Sequence, residues 1–247
     1  MTALVFALQP EQVCLAMDTL VIGAEDRMPM SFQRNFRLVP QTDLVIAGTG
    51  RAGFINGWFE HHRSHFLEKS IDELNAEFPR IFSSSVRTER GLGGLTATIY
   101  HFGYSALERQ YVGYAYRSES GFRSDRLQHA LGYKPVVPIA PTDDIRFPDF
   151  LIDIVVEQQR HDNLLPLQDR VGIGGEIEFV VMSNREIRIE TVHRFPSHEA
   201  ESTYIAQRAE AEFLAQAERQ RQATRARPEV RGTFSQSGPR RARLAQR

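Results

Sequence analysis

A threonine directly behind the initiator methionine, Thr2, begins an apolar run, and Asp18 closes the apolar run that follows it. A hydroxyl is a weak nucleophile unless a base sits beside it. Removal of Met1 before so small a residue would expose the α-amine of Thr2, whose unperturbed pKa of about 7.7–8.0 suits a general base near neutrality. If a turn centres on Pro10, Thr2 and Asp18 face each other on one side of a hairpin. A second turn at Pro40-Gln41 would likewise set Arg34 opposite Gly48. One end of a sheet would then hold a hydroxyl, a carboxylate, a guanidinium and a glycine amide. That set suits acyl transfer, with the amide N–H aimed at an oxyanion. A one-residue slip in either hairpin would reverse the faces.

The elements that must position these groups follow from periodicity. Residues 3–9 and 13–18 read as two strands with apolar side chains on both faces, and 32–39 and 43–49 as a second hairpin. At Gly50 the period changes. Phe54, Ile55, Trp58, Phe59, His62 and Phe66 recur at helical spacing, and Ser70-Ile71-Asp72-Glu73 has the form of a capping box opening a second helix. Residues 91–95 (GLGGL) read as a loop before strands at 95–102 and 110–117. A third helix is expected over 149–160. A final hairpin turns at Asn184-Arg185, and an amphipathic helix over 198–218 is expected to bury Tyr204, Ile205, Ala209, Phe213 and Leu214. Strands buried on both faces, with helices grouped between them, imply a layered α+β sandwich.

Composition narrows the class. The chain has 41% hydrophobic and 25% charged residues and a net charge of -1, values of an ordinary globular protein. No apolar run is long enough to cross a bilayer, the first residues lack a basic leader, and a cytoplasmic address is expected. Cys14 is the only cysteine, which excludes an internal disulfide framework. Residues 219–247 carry nine arginines and one acid, Glu229, and too few apolar residues to fold alone. They are read as a disordered tail behind a domain of residues 1–218; an acidic partner for the tail is left open, and nucleic acid is not expected. His61, His62 and His65 read as a solvated helix end rather than metal ligands. Neither a metal nor a cofactor is implied.

The segment TALVFALQPEQVCLAMDTLVIG, followed by FQRNFRLVPQTDLVIAGTG, resembles the opening of the proteasome β-subunit and bacterial HslV family of N-terminal nucleophile (Ntn) hydrolases. Weaker likeness continues through YVGYAYRSESGFRSDRLQHALG and QDRVGIGGEIEFVVMSNREIRIETV. The resemblance implies a four-layer αββα sandwich, a homo-oligomer, and hydrolysis of peptide or other amide bonds, with a partner ATPase left open. It implies Thr2 as nucleophile, Asp18 and Asp169 as the family's aspartates, and the Gly48 N–H as oxyanion donor. It also implies a pocket of Val21, Ile22, Phe32, Ile46 and Phe54. Arg34 stands where the family has a lysine, and Tyr133 where it has a serine. The two lysines of the chain, Lys69 and Lys134, both lie far from the motif in sequence. Two further readings stand beside the peptidase: a non-catalytic assembly protein and an acyl-transferring homologue.

Overall fold

The computed structural model describes residues 2–50, 52–61, 63–88, 96–140 and 145–225. The expected loop at 91–95, His62 and the tail from residue 226 fall outside the described residues. The chain opens with β1 (Leu4–Leu8), β2 (Gln12–Asp18) and β3 (Leu20–Ile22). Strands β4 (Pro29–Phe32), β5 (Phe36–Val39) and β6 (Leu44–Thr49) follow. Helices α1 (Ala52–His61), α2 (Arg63–Glu68) and α3 (Ile71–Thr88) come next. Then come β7 (Thr98–Ser105), β8 (Gln110–Arg117), β9 (Ser124–Arg126) and β10 (Leu131–Lys134). Helix α4 (Asp149–Leu164), the hairpin β11 (Glu176–Ser183) and β12 (Glu186–Arg194), and helix α5 (His198–Arg225) complete the chain.

Two antiparallel sheets dominate, ordered β10-β1-β2-β11-β12 and β5-β6-β7-β8-β9, with β3-β4 as a small third. The doubly apolar pattern of β1 and β2 has a direct cause. Leu4, Phe6, Leu8, Val13, Leu15 and Met17 pack against Phe36, Val45, Ala47, Tyr100 and Phe102 of the second sheet. Alternate residues Ala3, Val5, Ala7, Cys14 and Ala16 pack with Leu151, Ile154 and Val155 of α4. The far face of the second sheet, with Leu44, Ile46, Ile99 and Tyr116, is covered by Phe66, Ile71, Leu74 and Phe78 of α2 and α3. Burial of each Val, Leu, Ile, Phe or Met among these contributes about 1.5–3 kcal/mol before the conformational entropy of ordering it is subtracted. The fold is therefore α+β, built from antiparallel sheets.

Local chemistry sets several element ends. Ser70 N–H donates to Glu73 Oε2 at 2.8 Å, and Glu73 N–H donates to Ser70 Oγ at 3.4 Å, so the capping box opens α3 as expected. Asn184 and Arg185 adopt φ of 50° and 62°, the positive pair that a tight two-residue hairpin turn requires.

Contacts divide the chain into a unit ending at Ala206 and a second beginning at Gln207. The described part of the second unit is the remainder of α5, which continues to Arg225, beyond the expected helix end at residue 218. Phe213 and Leu214, expected on an inner face, are 70% and 56% exposed. Among the described residues of that unit, the helix has nothing to bury such a stripe against.

Candidate active site

The β1–β2 register is set by Pro10. Its fixed φ suits the first central position of a two-residue turn, so the turn centres between Pro10 and Glu11. Leu4 therefore pairs with Met17 and Leu8 with Val13, and Gln9 N–H donates to the Gln12 carbonyl at 2.9 Å. This is one residue off the expected register and corrects it: Asp18 falls level with Ala3, not Thr2. The second hairpin differs in the same way. Pro40 begins a 3-10 turn over Pro40–Thr42, Asp43 closes it with φ of 50°, and Phe36 pairs with Ala47. In that register Asn35, not Arg34, stands beside Gly48.

Asp18 lies on the α4 face and is fully buried. Its Oδ1 accepts the Ala3 N–H at 2.8 Å and its Oδ2 the Gly174 N–H at 3.1 Å. Burial pushes its carboxyl up to about 7, although these amide bonds pull the other way. Asn35 Nδ2 donates to the Asp18 backbone carbonyl at 2.7 Å, tying the start of the second hairpin to the end of β2. The result fixes the backbone immediately after Thr2, which is itself 7% exposed.

Asp162 was missed in the sequence and works beside Asp18. Its Oδ1 accepts the Val171 N–H at 2.6 Å, and its Oδ2 accepts those of Gly172 at 2.8 Å and Ile173 at 3.4 Å. The two aspartates thus hold four successive amides, Val171 to Gly174. Asp169 is exposed on the 3-10 turn Leu167–Asp169. The glycines of this segment let side chains of β3 and its neighbours approach closely. A Cβ on Gly172 would lie 2.5 Å from Ile22 Cδ1, and one on Gly175 2.5 Å from Thr19 Oγ1.

On the opposite face, toward the second sheet, a row crosses four strands: Lys134, Leu4, Met17 and Glu178. Alternation along the strand puts Thr2 on this face with Leu4 and Phe6. Arg34 Nε donates to Glu178 Oε1 at 2.7 Å, linking the two sheets at this end. Glu178 is buried while the Arg34 side chain is 57% exposed, and Glu178 Oε2 is buried without a hydrogen-bond partner among the described residues. Thr49 Oγ1, on the facing side of β6, is likewise buried and unpartnered. The half-buried Lys134 donates from Nζ to Thr98 Oγ1 of the second sheet at 3.3 Å. Glu178 and Lys134 carried no local sequence signal; only the pairing of β10 with β1 and of β11 with β2 brings them here.

Gly48 N–H donates to the Asn35 carbonyl at 3.3 Å, so the sheet already uses that amide. Of the expected pocket residues, Val21, Ile22 and Phe32 are half-buried in the small sheet. Phe32 stacks on His198 at 4.7 Å. Ile46 is turned to the helices, in the cluster with Phe66 and Ile71. Phe54 belongs to α1, and its side chain falls outside the described residues. Tyr133 sits level with Val5 on the α4 face and packs in that cluster.

No family model matches the chain, and no curated protein matches it in sequence. Its architecture is similar to a solved mutant of Anbu from Hyphomicrobium sp. strain MC1. The two share 13% identity with a TM-score of 0.55 over 89% of this chain and all of that one. This corrects the expected placement in the proteasome β-subunit and HslV family. The likeness found is to Anbu, and at this identity it extends to the fold alone. Among the described residues, no helix is long and apolar enough to cross a membrane. The chain therefore shares its fold with that Anbu structure.

Proposed function

We propose that the chain is an amidohydrolase whose nucleophile is Thr2, exposed by removal of Met1, on an αββα sandwich that assembles as a homo-oligomer. The observation that carries this reading is the fixed backbone beside Thr2. The residue after Thr2 is held by the fully buried carboxyl of Asp18 on the α4 face. Backbone held this firmly suits a reacting group, whose position must be fixed. Thr49 Oγ1 and Glu178 Oε2 are buried with no hydrogen-bond partner among the described residues, so polar capacity on the inter-sheet side stays unused.

In the reaction, Thr2 Oγ bonds the carbonyl carbon while its proton passes to the α-amine. The ammonium returns that proton to the leaving nitrogen as the C–N bond breaks. Water, deprotonated by the same amine, then hydrolyses the acyl ester and regenerates the hydroxyl. Asp18 positions the strand. Arg34 supplies positive potential from its ion pair with Glu178, and Val21, Ile22 and Phe32 offer apolar contact. An oxyanion at Gly48 has to displace the bond from its N–H to the Asn35 carbonyl.

That engaged amide favours a second reading, a non-catalytic assembly protein on the same fold. A threonine-directed β-lactone, followed by intact mass, separates the two. The expected result is a chain starting at Thr2 that gains one adduct, lost in Thr2→Ala. A chain that starts at Thr2 and takes no adduct supports the assembly reading, and retention of Met1 removes the mechanism.

A further inference from the structure

The chain contains two lysines, and they stand in different surroundings. Lys69 pairs with Glu77 on the helical side. Lys134 ends β10, the edge strand of the first sheet, where a lysine commonly serves only to keep the edge soluble. This one does not reach for solvent. Its Cα is level with Leu4, its side chain is on the face that meets the second sheet, and its Nζ donates inward to Thr98 Oγ1.

Strand spacing places Lys134 beside β1. Neighbouring strands lie about 4.8 Å apart, so β10 is one spacing from β1, whereas Glu178, the partner of Arg34, is two spacings away on β11. Lys134 is level with Leu4, two residues after Thr2, and a diagonal of about 7–8 Å is one that a long side chain spans. Burial pushes the Lys134 ammonium down. Arg117 of β8 adds to that lowering and Glu119, just after β8, opposes it. Tyr100 of β7 shares the Thr98 hydroxyl, and burial pushes its phenol up. Glu178, and through it Arg34, lies at the far end of the row, and Asp18 on the other face attracts the chain-end ammonium and opposes the effect of Lys134. At neutral pH the phenol is uncharged, so Lys134 is the cation nearest the chain end among the described residues of the two strands flanking β1.

We propose that Lys134 is a positioning residue of the Thr2 site, its ammonium lowering the pKa of the Thr2 α-amine so that more of it is free to accept the Oγ proton. The role rests on the reading of Thr2 as nucleophile, and its physical basis is general: a like charge disfavours the protonated amine. Lys134→Arg keeps the charge, whereas Lys134→Met removes it and retains most of the stem.

The test has one readout that needs no activity. Trace acetic anhydride, applied across pH and read on the N-terminal peptide by mass, gives the midpoint of the Thr2 α-amine. It should lie below the ordinary amine range in wild type, rise by about one pH unit in Lys134→Met, and stay near wild type in Lys134→Arg. β-Lactone labelling of Thr2 at pH 7 should fall about three- to fivefold in Lys134→Met only, the drop in free amine that one pH unit produces. If Lys134→Met does not fold, Lys134→Gln serves in its place. Equal midpoints in wild type and Lys134→Met overturn the proposal, even where Thr2 labels well. A shifted midpoint with no labelling in any chain overturns the nucleophile and leaves the placement of Lys134 standing. Retention of Met1 overturns both.

Discussion

The two faces of the first sheet use charge in opposite ways. On the α4 face, Asp18 and Asp162 are buried and their oxygens are taken up by backbone amides. On the face toward the second sheet, Lys134 and the Arg34–Glu178 pair stand at opposite ends of one row, and Glu178 Oε2 has no partner among the described residues. The first arrangement uses its hydrogen-bonding capacity to hold the chain. The second leaves part of its capacity unused, which a purely structural network avoids. The two faces differ by a single residue of alternation along the same strands, so the chemistry of this end depends on register.

The largest expected effect breaks the holding face. Asp18→Ala orphans the Ala3 and Gly174 amides in a fully buried position, at a cost of roughly 2–5 kcal/mol by urea unfolding. It should also abolish labelling of Thr2, because the strand end is released. Asp162→Ala should lose a comparable amount of stability, yet label Thr2 normally in the folded fraction, since Asp162 holds only residues 171–173. Equal loss of labelling in both would show that general stability, not the fixed terminus, governs the site.

A pH series sharpens the same contrast. The Asp18 carboxyl is about 7 in the fold, against about 3.9 when unfolded. Between those values the folded state retains a proton that the unfolded state has released. The stability linked to Asp18 is therefore full below about pH 4 and lost as pH rises through about 7. Wild type compared with Asp18→Asn should lose several degrees of relative Tm over that range, since about 1 kcal/mol moves Tm by 2–4 °C at this size. The comparison must be made at matched pH because His101 acts oppositely. Burial among Phe66, Phe78 and Tyr116 pushes it down to about 3, so its contribution is lost as pH falls from about 6.5. A flat difference between the two chains would mean that Asp18 is ionised throughout.

The smallest expected effect concerns Arg34. With its guanidinium on Glu178, two strands from β1, Arg34→Ala should move the Thr2 α-amine midpoint by less than half the shift of Lys134→Met. A larger shift from Arg34 would make it, rather than Lys134, the cation that matters. The variant's melting point serves as a control, since it leaves the buried Glu178 without its ion pair.

Local pattern alone located most elements and several of the contested residues. The apolar runs became β1 and β2, the capping box opened α3, and Asn184-Arg185 turned the last hairpin. Each of these depends on neighbours within a few residues, which is the range over which periodicity and turn preference act. The small sheet of β3 and β4 was not anticipated, because its strands are three and four residues long and too short to show a period.

By itself, then, the order of residues determined a chain of buried strands beginning at Thr2, an aspartate at the end of β2, and a basic residue at Arg34 before the second hairpin. Tertiary structure alone decided which face each of them occupies and which distant residues join them. A proline-led turn can centre on the proline or half a residue beyond it, and the two choices differ little locally while exchanging the faces. Glu178 and Lys134 reach the site through pairings between strands far apart in sequence, β11 with β2 and β10 with β1, which no local period encodes.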